Sequence, residues 1–430
     1  MLLCIIFSYF TFGRNSMKKL PLICLSFALL ATNTTANEIE YTNENTIPCG
    51  ELGVLLCDLN NNPVTGIKKS YYQDGNIEQE INLKNGKREG LFKTYYPNGQ
   101  LEKEANFKDD KEESTYKTYY SNGNLKSDIN YTNGEIDGVA KYYYDNGSLE
   151  KEINFKNGKP EGISKTYYSN GNLKGEENYK NGEIDGIAKY YYDNNILEKE
   201  IIFQNGKPEG VSKAYHKNTN LKSEENYKDG KLEGLAKFYY ESGKLNGELH
   251  FKNGNLEGTS KTYFENGSLE DESSFKNTKA DGIAKKYYEN GNLKAERFFK
   301  EGKLEGIGKL YYENGKLKGK INYKDGKAEG IYKTYHKNGN LEGEENYKNG
   351  KLNGLSKFYY ENGNLKGEMN FKNGELEGNS IKYYINGNLQ YEIDFKNGEA
   401  ISGYMYNIDG KKTKMTNAHL HNYINKYSSN

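Results

Sequence analysis

Residues 138–161 read G-V-A-K-Y-Y-Y-D-N-G-S-L-E-K-E-I-N-F-K-N-G-K-P-E, and residues 162–185 begin the same phrase again as G-I-S-K-T-Y-Y-S-N-G-N-L. Asn146-Gly147 and Asn157-Gly158 divide the first phrase into two short runs rich in Tyr, Phe and Ile. Asn-Gly supplies the positive φ angles of a tight hairpin turn, and aromatic and β-branched runs favour strands. Two strands and two turns per 24 residues predict an antiparallel meander, and this density of Gly and Asn excludes a helix.

Working outward, the phrase fills the chain. Aligning on the leading glycine places fourteen units in one register over 66–401, repeat 1 beginning at Gly66 and repeat 14 at Gly378, with Ser114 standing where repeat 3 lacks the glycine. Position 6 of the unit is Tyr in all fourteen. Position 7 is Tyr in eleven, His in two (His216, His336) and Phe in one (Phe264). KTYYSNGNLK at Lys117–Lys126 recurs at Lys165–Lys174, an echo that points to duplication by pairs of units. A lone hairpin is marginal in water, so stability must come from neighbours pooling their apolar faces. The predicted fold is all-β: an elongated, twisted antiparallel sheet of tandem 24-residue hairpins. Its twenty-eight strands at about 4.8 Å would give roughly 130 Å of sheet.

Charge tests the register. With positions 9 and 10 as the turn, position 7 faces 12 and position 4 faces 15. Position 4 is Lys in thirteen units, and position 15 is Glu in twelve, Asp in one and Lys in one. Lys141 should therefore face Glu152, and Lys165 should face Glu176. Lys309 facing Lys320 is the one like-charged exception, a local weak point. The same register puts positions 3, 5, 7, 12, 14, 16 and 18 on one face, aromatic and aliphatic, with Tyr144, Leu149 and Phe155 in one repeat and Tyr192, Leu197 and Phe203 in another. Positions 4, 6, 13, 15, 17 and 19 share the other face, a charged ladder beside a tyrosine row. The second turn has two readings: a two-residue turn pairs position 18 with 23 and shears the sheet, whereas a four-residue loop pairs 19 with 24 and does not.

Outside the array, Met17, Lys18 and Lys19 precede an apolar run from Leu20 to Ala31 and then small and polar residues from Thr32 to Asn37. This is the pattern of an export signal, residues 1–36, with cleavage expected after Ala36. The run is short for a membrane span. Residues 1–16 read as an upstream mis-assigned start. Residues 37–65 form an N-terminal cap with Leu59 and Val64 near repeat phase, and 402–430 a C-terminal cap whose polar tail from Lys411 is expected to be loose. Cys4 and Cys24 fall in the targeting region. Cys49 and Cys57 remain in the mature chain, where they either bridge the start of the array in an oxidising compartment or sit as two buried thiols in the cap.

Composition narrows the function. Lys plus Arg and Asp plus Glu are 60 each, mean hydropathy is −0.99 and aromatics reach 13%. Balanced, alternating charge argues against nucleic-acid binding, and 41 Tyr argue against disorder. No phosphate loop, dinucleotide fingerprint, nucleophile elbow or zinc spacing is present. Of five histidines, His216 and His336 replace a repeat tyrosine, His250 lies within a repeat, and His419 and His421 make at most a two-ligand metal site. No catalytic, cofactor-binding or metal residue is assigned, and no enzyme activity is expected. The candidate binding surface is the position-6 row: Tyr95, Tyr119, Tyr143, Tyr167, Tyr191, Tyr215, Tyr239, Tyr263, Tyr287, Tyr311, Tyr335, Tyr359 and Tyr383. Tyrosine can stack on sugar or peptide, while the competing reading has the rings cover one another and support the sheet.

The unit Y-Y-x-N-G-x-L-x-x-E-x-x-F-K-N-G-K-x-x-G over residues 64–400 resembles the bacterial MORN-repeat variant of the YwqK antitoxin-like type. The resemblance implies hairpin repeats acting as scaffold or binding surfaces, and its antitoxin label implies a toxin partner, which an export signal opposes. MORN repeats elsewhere are linked to membranes, but their pattern is richer in Trp, and this chain has none. Choline-type wall-binding repeats look alike but depend on Trp cages. The expectation is an exported protein, secreted, periplasmic or at the cell surface, engaging a protein or glycan partner, with membrane contact only through export or peripheral association. The alternatives are an antitoxin-like inhibitor and a purely architectural spacer.

Overall fold

The computed structural model describes residues 40–50 and 55–420. The expected export signal and residues 421–430, His421 among them, lie outside the described residues. Among the described residues all strands but one hairpin join a single long sheet, in which each strand pairs antiparallel with its neighbours in sequence except at one end, where Glu40–Tyr41 passes over the hairpin to pair in parallel with Gly66–Tyr71. The sheet has thirty-eight strand segments rather than twenty-eight, because seven second turns detach a two-residue segment such as Lys159–Pro160 from the strand that follows, and three end strands are added.

The first turn differs from the expected Asn-Gly type. In repeat 3 the Gly123 amide donates to the Tyr120 carbonyl, and the Tyr120 amide to the Asn124 carbonyl, both at 2.8 Å. Gly123 has φ +87°, while Asn122 is not left-handed. That is a three-residue loop ending in a left-handed bulge residue. The bulge moves the register: Tyr142 faces Lys151, but Tyr143, not Tyr144, faces Leu149. Position 6 therefore pairs with 12, and position 13 is the extra residue. Two expected assignments exchange faces as a result. Leu149 and Leu197 join the tyrosine row, and position 13 joins the aromatic face.

The second turn is the two-residue form. Asn157 and Gly158 are both left-handed, at φ +50° and +73°, and Phe155 faces Pro160. The expected shear is nevertheless absent. Two residues bulge out between the Phe155–Pro160 pair and the Glu152–Lys165 pair. Gly162, at φ +78°, sits in that bulge, which is why the unit begins with glycine. Lys141 faces Glu152 as expected, Glu152 then faces Lys165 of the next repeat, and Lys165 faces Glu176. The ladder passes from repeat to repeat, broken only by Lys320 and Ile381, with Lys141–Glu152 at 3.4 Å and Lys357–Glu368 at 2.9 Å. These pairs are partly exposed, so each contributes little, on the order of 0.5 kcal/mol. Lys320 is opposed by both Lys309 and Lys333, which turn away to Glu296 and Glu344 at 3.0 and 2.6 Å.

The core is a single layer on the face of positions 3, 5, 16, 18 and 23. Ala140, Ile129 and Ile153 are buried there, with Tyr142, Phe155 and Ile136 packed around them. We call this the inner face. The outer face carries the ladder and an apolar row at position 2 that sequence reading did not place: Ile163, Ile187, Ile307 and Ile331 are each at least half exposed.

Both ends imitate a repeat. Thr46–Cys49 and Leu55–Asp58 form a hairpin in which Cys49 and Cys57 are joined by a disulfide, Cα–Cα 5.8 Å. Val64 is buried and its carbonyl accepts the Gly86 amide, the role position 23 plays elsewhere. Leu59 is exposed instead. Glu40 pairs in parallel beside repeat 1 and holds Lys69 at 3.2 Å and the Tyr71 hydroxyl at 2.7 Å, as a position-15 glutamate would. At the other end the one-residue slip at Gly403 is absorbed by a one-residue bulge where the repeats have two. The tail is not loose as far as it is described: Lys412–Lys414 adds a strand, and Leu420 is buried on Ile393 and Phe395.

Candidate functional site

The first turns line one edge of the sheet, and their chemistry is a set of interlocking hydrogen bonds. Asn122 closes its own loop by accepting the Asn124 amide at 3.0 Å, and both asparagines donate to the Asp145 carbonyl in the next repeat. Each position-7 tyrosine before the last repeat donates its hydroxyl to the position-6 carbonyl one repeat on, as Tyr144 does to Tyr167 and Tyr168 to Tyr191, each at 2.8 Å, and Tyr384 of the last repeat donates to the Tyr406 carbonyl of the C-terminal cap. His216 and His336 make the same contact through Nε2 at 3.0 Å. They take the place of a tyrosine hydroxyl in this row. On the opposite edge, second turns dock in the same manner: Gly158 donates to the Ile136 carbonyl, and the Asn181 amide to the Glu161 carboxylate.

Between successive position-7 side chains the inner face opens into shallow clefts. One, of about 390 Å³, is lined by Tyr142, Tyr144, Glu150, Phe155 and Lys174. A second of about 390 Å³ holds Tyr168, Lys174, Tyr190, Tyr192, Glu198 and Lys222. A third of about 370 Å³ has Phe264, Glu270, Asp271, Lys286 and Lys294. The recurring parts are an aromatic wall from position 7 and charges from position 13. Over repeats 2 to 7 position 13 runs Glu102, Lys126, Glu150, Lys174, Glu198, Lys222, so the sign alternates from one repeat to the next until Asn246 breaks the pattern in repeat 8. The lysines lie over their own position-7 ring, Lys126 at 5.6 Å from Tyr120 and Lys174 at 5.7 Å from Tyr168, a geometry that holds a cation weakly. Sequence reading missed this groove because it placed position 13 on the other face. The available signal was the 48-residue echo, which is the period of the sign alternation.

The position-6 tyrosine row lies on the opposite face from this groove, beside the ladder as the register predicts. All thirteen residues from Tyr95 to Tyr383 are half-buried and stand beside the Lys–Glu ladder on the outer face. Tyr95 donates to Glu80 at 2.8 Å, and Tyr263 to Glu248 at 3.1 Å. Burial, aided by Glu80, pushes the Tyr95 hydroxyl up to about 12, and burial raises Tyr119, Tyr263 and Tyr383 as well. Tyr167 and Tyr191 border the clefts, where their carbonyls take the Tyr144 and Tyr168 hydroxyls.

The inner face also holds carboxylates among tyrosines. Glu177 accepts from Tyr179 and Tyr190, both at 2.8 Å; burial, aided by this carboxylate, pushes the Tyr179 hydroxyl up to about 12 and raises Tyr190 as well. Burial raises Glu345. Among the described residues no group of His, Cys, Asp or Glu is placed to hold a metal, and no helix is long and apolar enough to cross a membrane.

The sequence profile of the MORN repeat variant matches fourteen segments, from 64–85 and 88–109 through to 352–373 and 376–397, one per repeat. The chain belongs to the MORN repeat variant family. No curated protein matched it. Among solved structures, this MORN-repeat chain is similar to the crystal structure of TcdB2-TccC3-Cdc42, with 10% identity over 84% of this chain and 24% of that one, TM-score 0.15. It is also similar to the Photorhabdus luminescens Tc holotoxin pore with the mutation TccC3-D651A, with 11% identity over 80% of this chain and 25% of that one, TM-score 0.14. The chain spans about a quarter of the length of these structures, and superpositions this loose transfer neither fold nor activity.

Proposed function

We propose that this MORN-repeat protein is an exported scaffold of the bacterial envelope that holds an extended protein or glycan partner along the inner-face clefts. The observation that carries the reading is recurrence. Clefts of one make-up, an aromatic wall flanked by Glu and Lys, repeat along the edge at spacings set by strand pairs, on the order of 10 Å per repeat. A polymer with a matching repeat engages several weak clefts at once, and linked contacts multiply into useful avidity. The Cys49–Cys57 disulfide supports an oxidising compartment. Alternating charge speaks for a partner of mixed or low charge and against nucleic acid.

The test combines fractionation, N-terminal sequencing of the mature chain, and binding to arrays of envelope glycans and peptides. The reading expects a start after Ala36 and a ligand whose affinity falls at least ten-fold when Lys174 and Lys222 are both replaced by Ala. A cytoplasmic protein rescued from insolubility by a neighbouring toxin would favour the antitoxin-like role instead. A surface protein that binds nothing would favour the spacer.

A further inference from the structure

Repeats 10 to 12 depart from the unit in places that meet on the inner face. Position 16, Ile in repeats such as those of Ile153 and Ile201, is Arg297 in repeat 10. Position 3 is Gly308 in repeat 11, the one glycine at that position. A Cβ on Gly308 would meet the Tyr323 ring at 2.9 Å and the Arg297 Cγ at 3.8 Å, so the bare backbone lets that ring lie down beside the arginine. Gly319 does the same for Tyr332, whose hydroxyl oxygen would be 3.0 Å from an added Cβ. Tyr347 stands edge-on to Tyr332, centroids 6.3 Å apart at 70°. Arg297, Tyr323, Tyr332 and Tyr347 thus enclose a cavity of about 270 Å³.

The arginine itself is unusual. The chain uses Lys throughout and Arg three times. Arg88 is held by Asp110 at 3.2 Å and lies over Phe107. Arg297 is exposed and, among the described residues, makes no ion pair or hydrogen bond. Its guanidinium therefore presents a free fork for a planar anion. Tyr323 and Tyr332 are half-buried and their hydroxyls likewise make no hydrogen bond among the described residues.

We infer that this cavity binds a single carboxylated sugar residue, a hexuronate or similar acid. The carboxylate takes the Arg297 fork, the apolar side of the ring lies on the tyrosines, and the tyrosine hydroxyls serve the ring hydroxyls. The volume suits one residue rather than a chain. A peptide is disfavoured because the strands here are paired on both sides, leaving no sheet edge for an added strand. The site goes beyond the periodic clefts described above: it occurs once, in different residues, and stands or falls separately.

The experiment is calorimetric or NMR titration of the full chain with methyl glucuronide, methyl glucoside, acetate and inorganic phosphate. Glucuronide should bind at least roughly ten-fold more tightly than the other three, because glucoside lacks the charge-assisted bidentate contact and acetate and phosphate lack the ring that lies on the tyrosines. Arg297→Gln should lower its affinity at least ten-fold with circular dichroism unchanged, and Arg297→Lys by a smaller factor. If Arg297→Gln fails to fold, Arg297→Lys and Tyr332→Ala carry the test. The Lys174→Ala, Lys222→Ala double variant should bind glucuronide as the native chain does, whatever it does to a polymer. Equal binding of glucoside, acetate or phosphate, absence of glucuronide binding, or loss on the Lys174 and Lys222 changes overturns the assignment.

Discussion

The Tyr120 hydroxyl donates to the backbone carbonyl of Tyr143, 23 residues away in the next repeat, at 2.8 Å. This contact explains why position 7 tolerates His but not, as a rule, Phe: the side chain must reach across the strand gap with a donor. Phe264 has none, so the Tyr287 carbonyl loses the bond its counterparts receive.

Replacing Phe264 by Tyr is therefore expected to stabilise the array by about 1 kcal/mol, and Tyr144→Phe to cost about as much. Because repeat arrays unfold in parts, native-state hydrogen exchange around residues 263–288 is the appropriate readout alongside urea unfolding. No change in protection at Phe264→Tyr would show that the hydroxyl ladder is incidental.

Position 10 must be left-handed to end the first turn. Glycine does this in most repeats and Asn195 does it in repeat 6, but Thr219 is held at φ +73°, where a β-branched residue is strained. Thr219→Gly should raise stability by about 1 kcal/mol, read as a shift in the urea midpoint with unchanged slope.

Lys320 interrupts the charge ladder between Lys309 and Lys333. Lys320→Glu should stabilise by about 0.5 kcal/mol at low salt, and the gain should vanish at molar salt. A gain that survives salt would mean the effect is packing.

High pH should loosen the sheet before the tyrosines are all ionised. Tyr95, Tyr179 and Tyr347 are raised from 10.0 to about 12 by burial and by neighbouring glutamates. Lys261, Lys309, Lys333 and Lys357 are raised by their glutamate partners. In each case the folded state binds the proton more tightly than the unfolded chain. The stabilisation is complete below pH 10 and is lost as pH rises towards about 12, because the unfolded state then releases protons first. Circular dichroism and tyrosinate absorbance should show unfolding tracking ionisation across that window. A sheet still intact when its tyrosines have titrated would contradict the assignment.

Much of the fold was legible because the 24-residue period repeats each signal fourteen times. Lys141 opposite Glu152 followed from the place of the first Asn-Gly and was supported by charge, as was the like-charged fault at Lys320. The faces of Leu149 and Glu150 were not legible, since a bulge of one residue reverses side-chain direction and Asn-Gly permits more than one loop. Nor was the cancelled shear: it depends on Gly162 taking a left-handed conformation between two strands, which sequence marks only as a glycine. The tyrosine row was found and correctly placed beside the ladder. The clefts were missed because they need position 13 turned inward. The cavity at Arg297 was missed because it is built from exceptions, which an argument from periodicity discards.

The bulge at the leading glycine leaves each repeat in the same lateral position as the one before it. No offset accumulates along the array, so the closing contacts made by Glu40 and Val64 at one end and Leu420 at the other do not depend on how many units lie between them. Such a protein can lengthen or shorten by unequal crossing-over in its gene, one hairpin or one pair at a time, and still finish both ends correctly. Reach becomes a heritable quantity that changes without redesign of any surface.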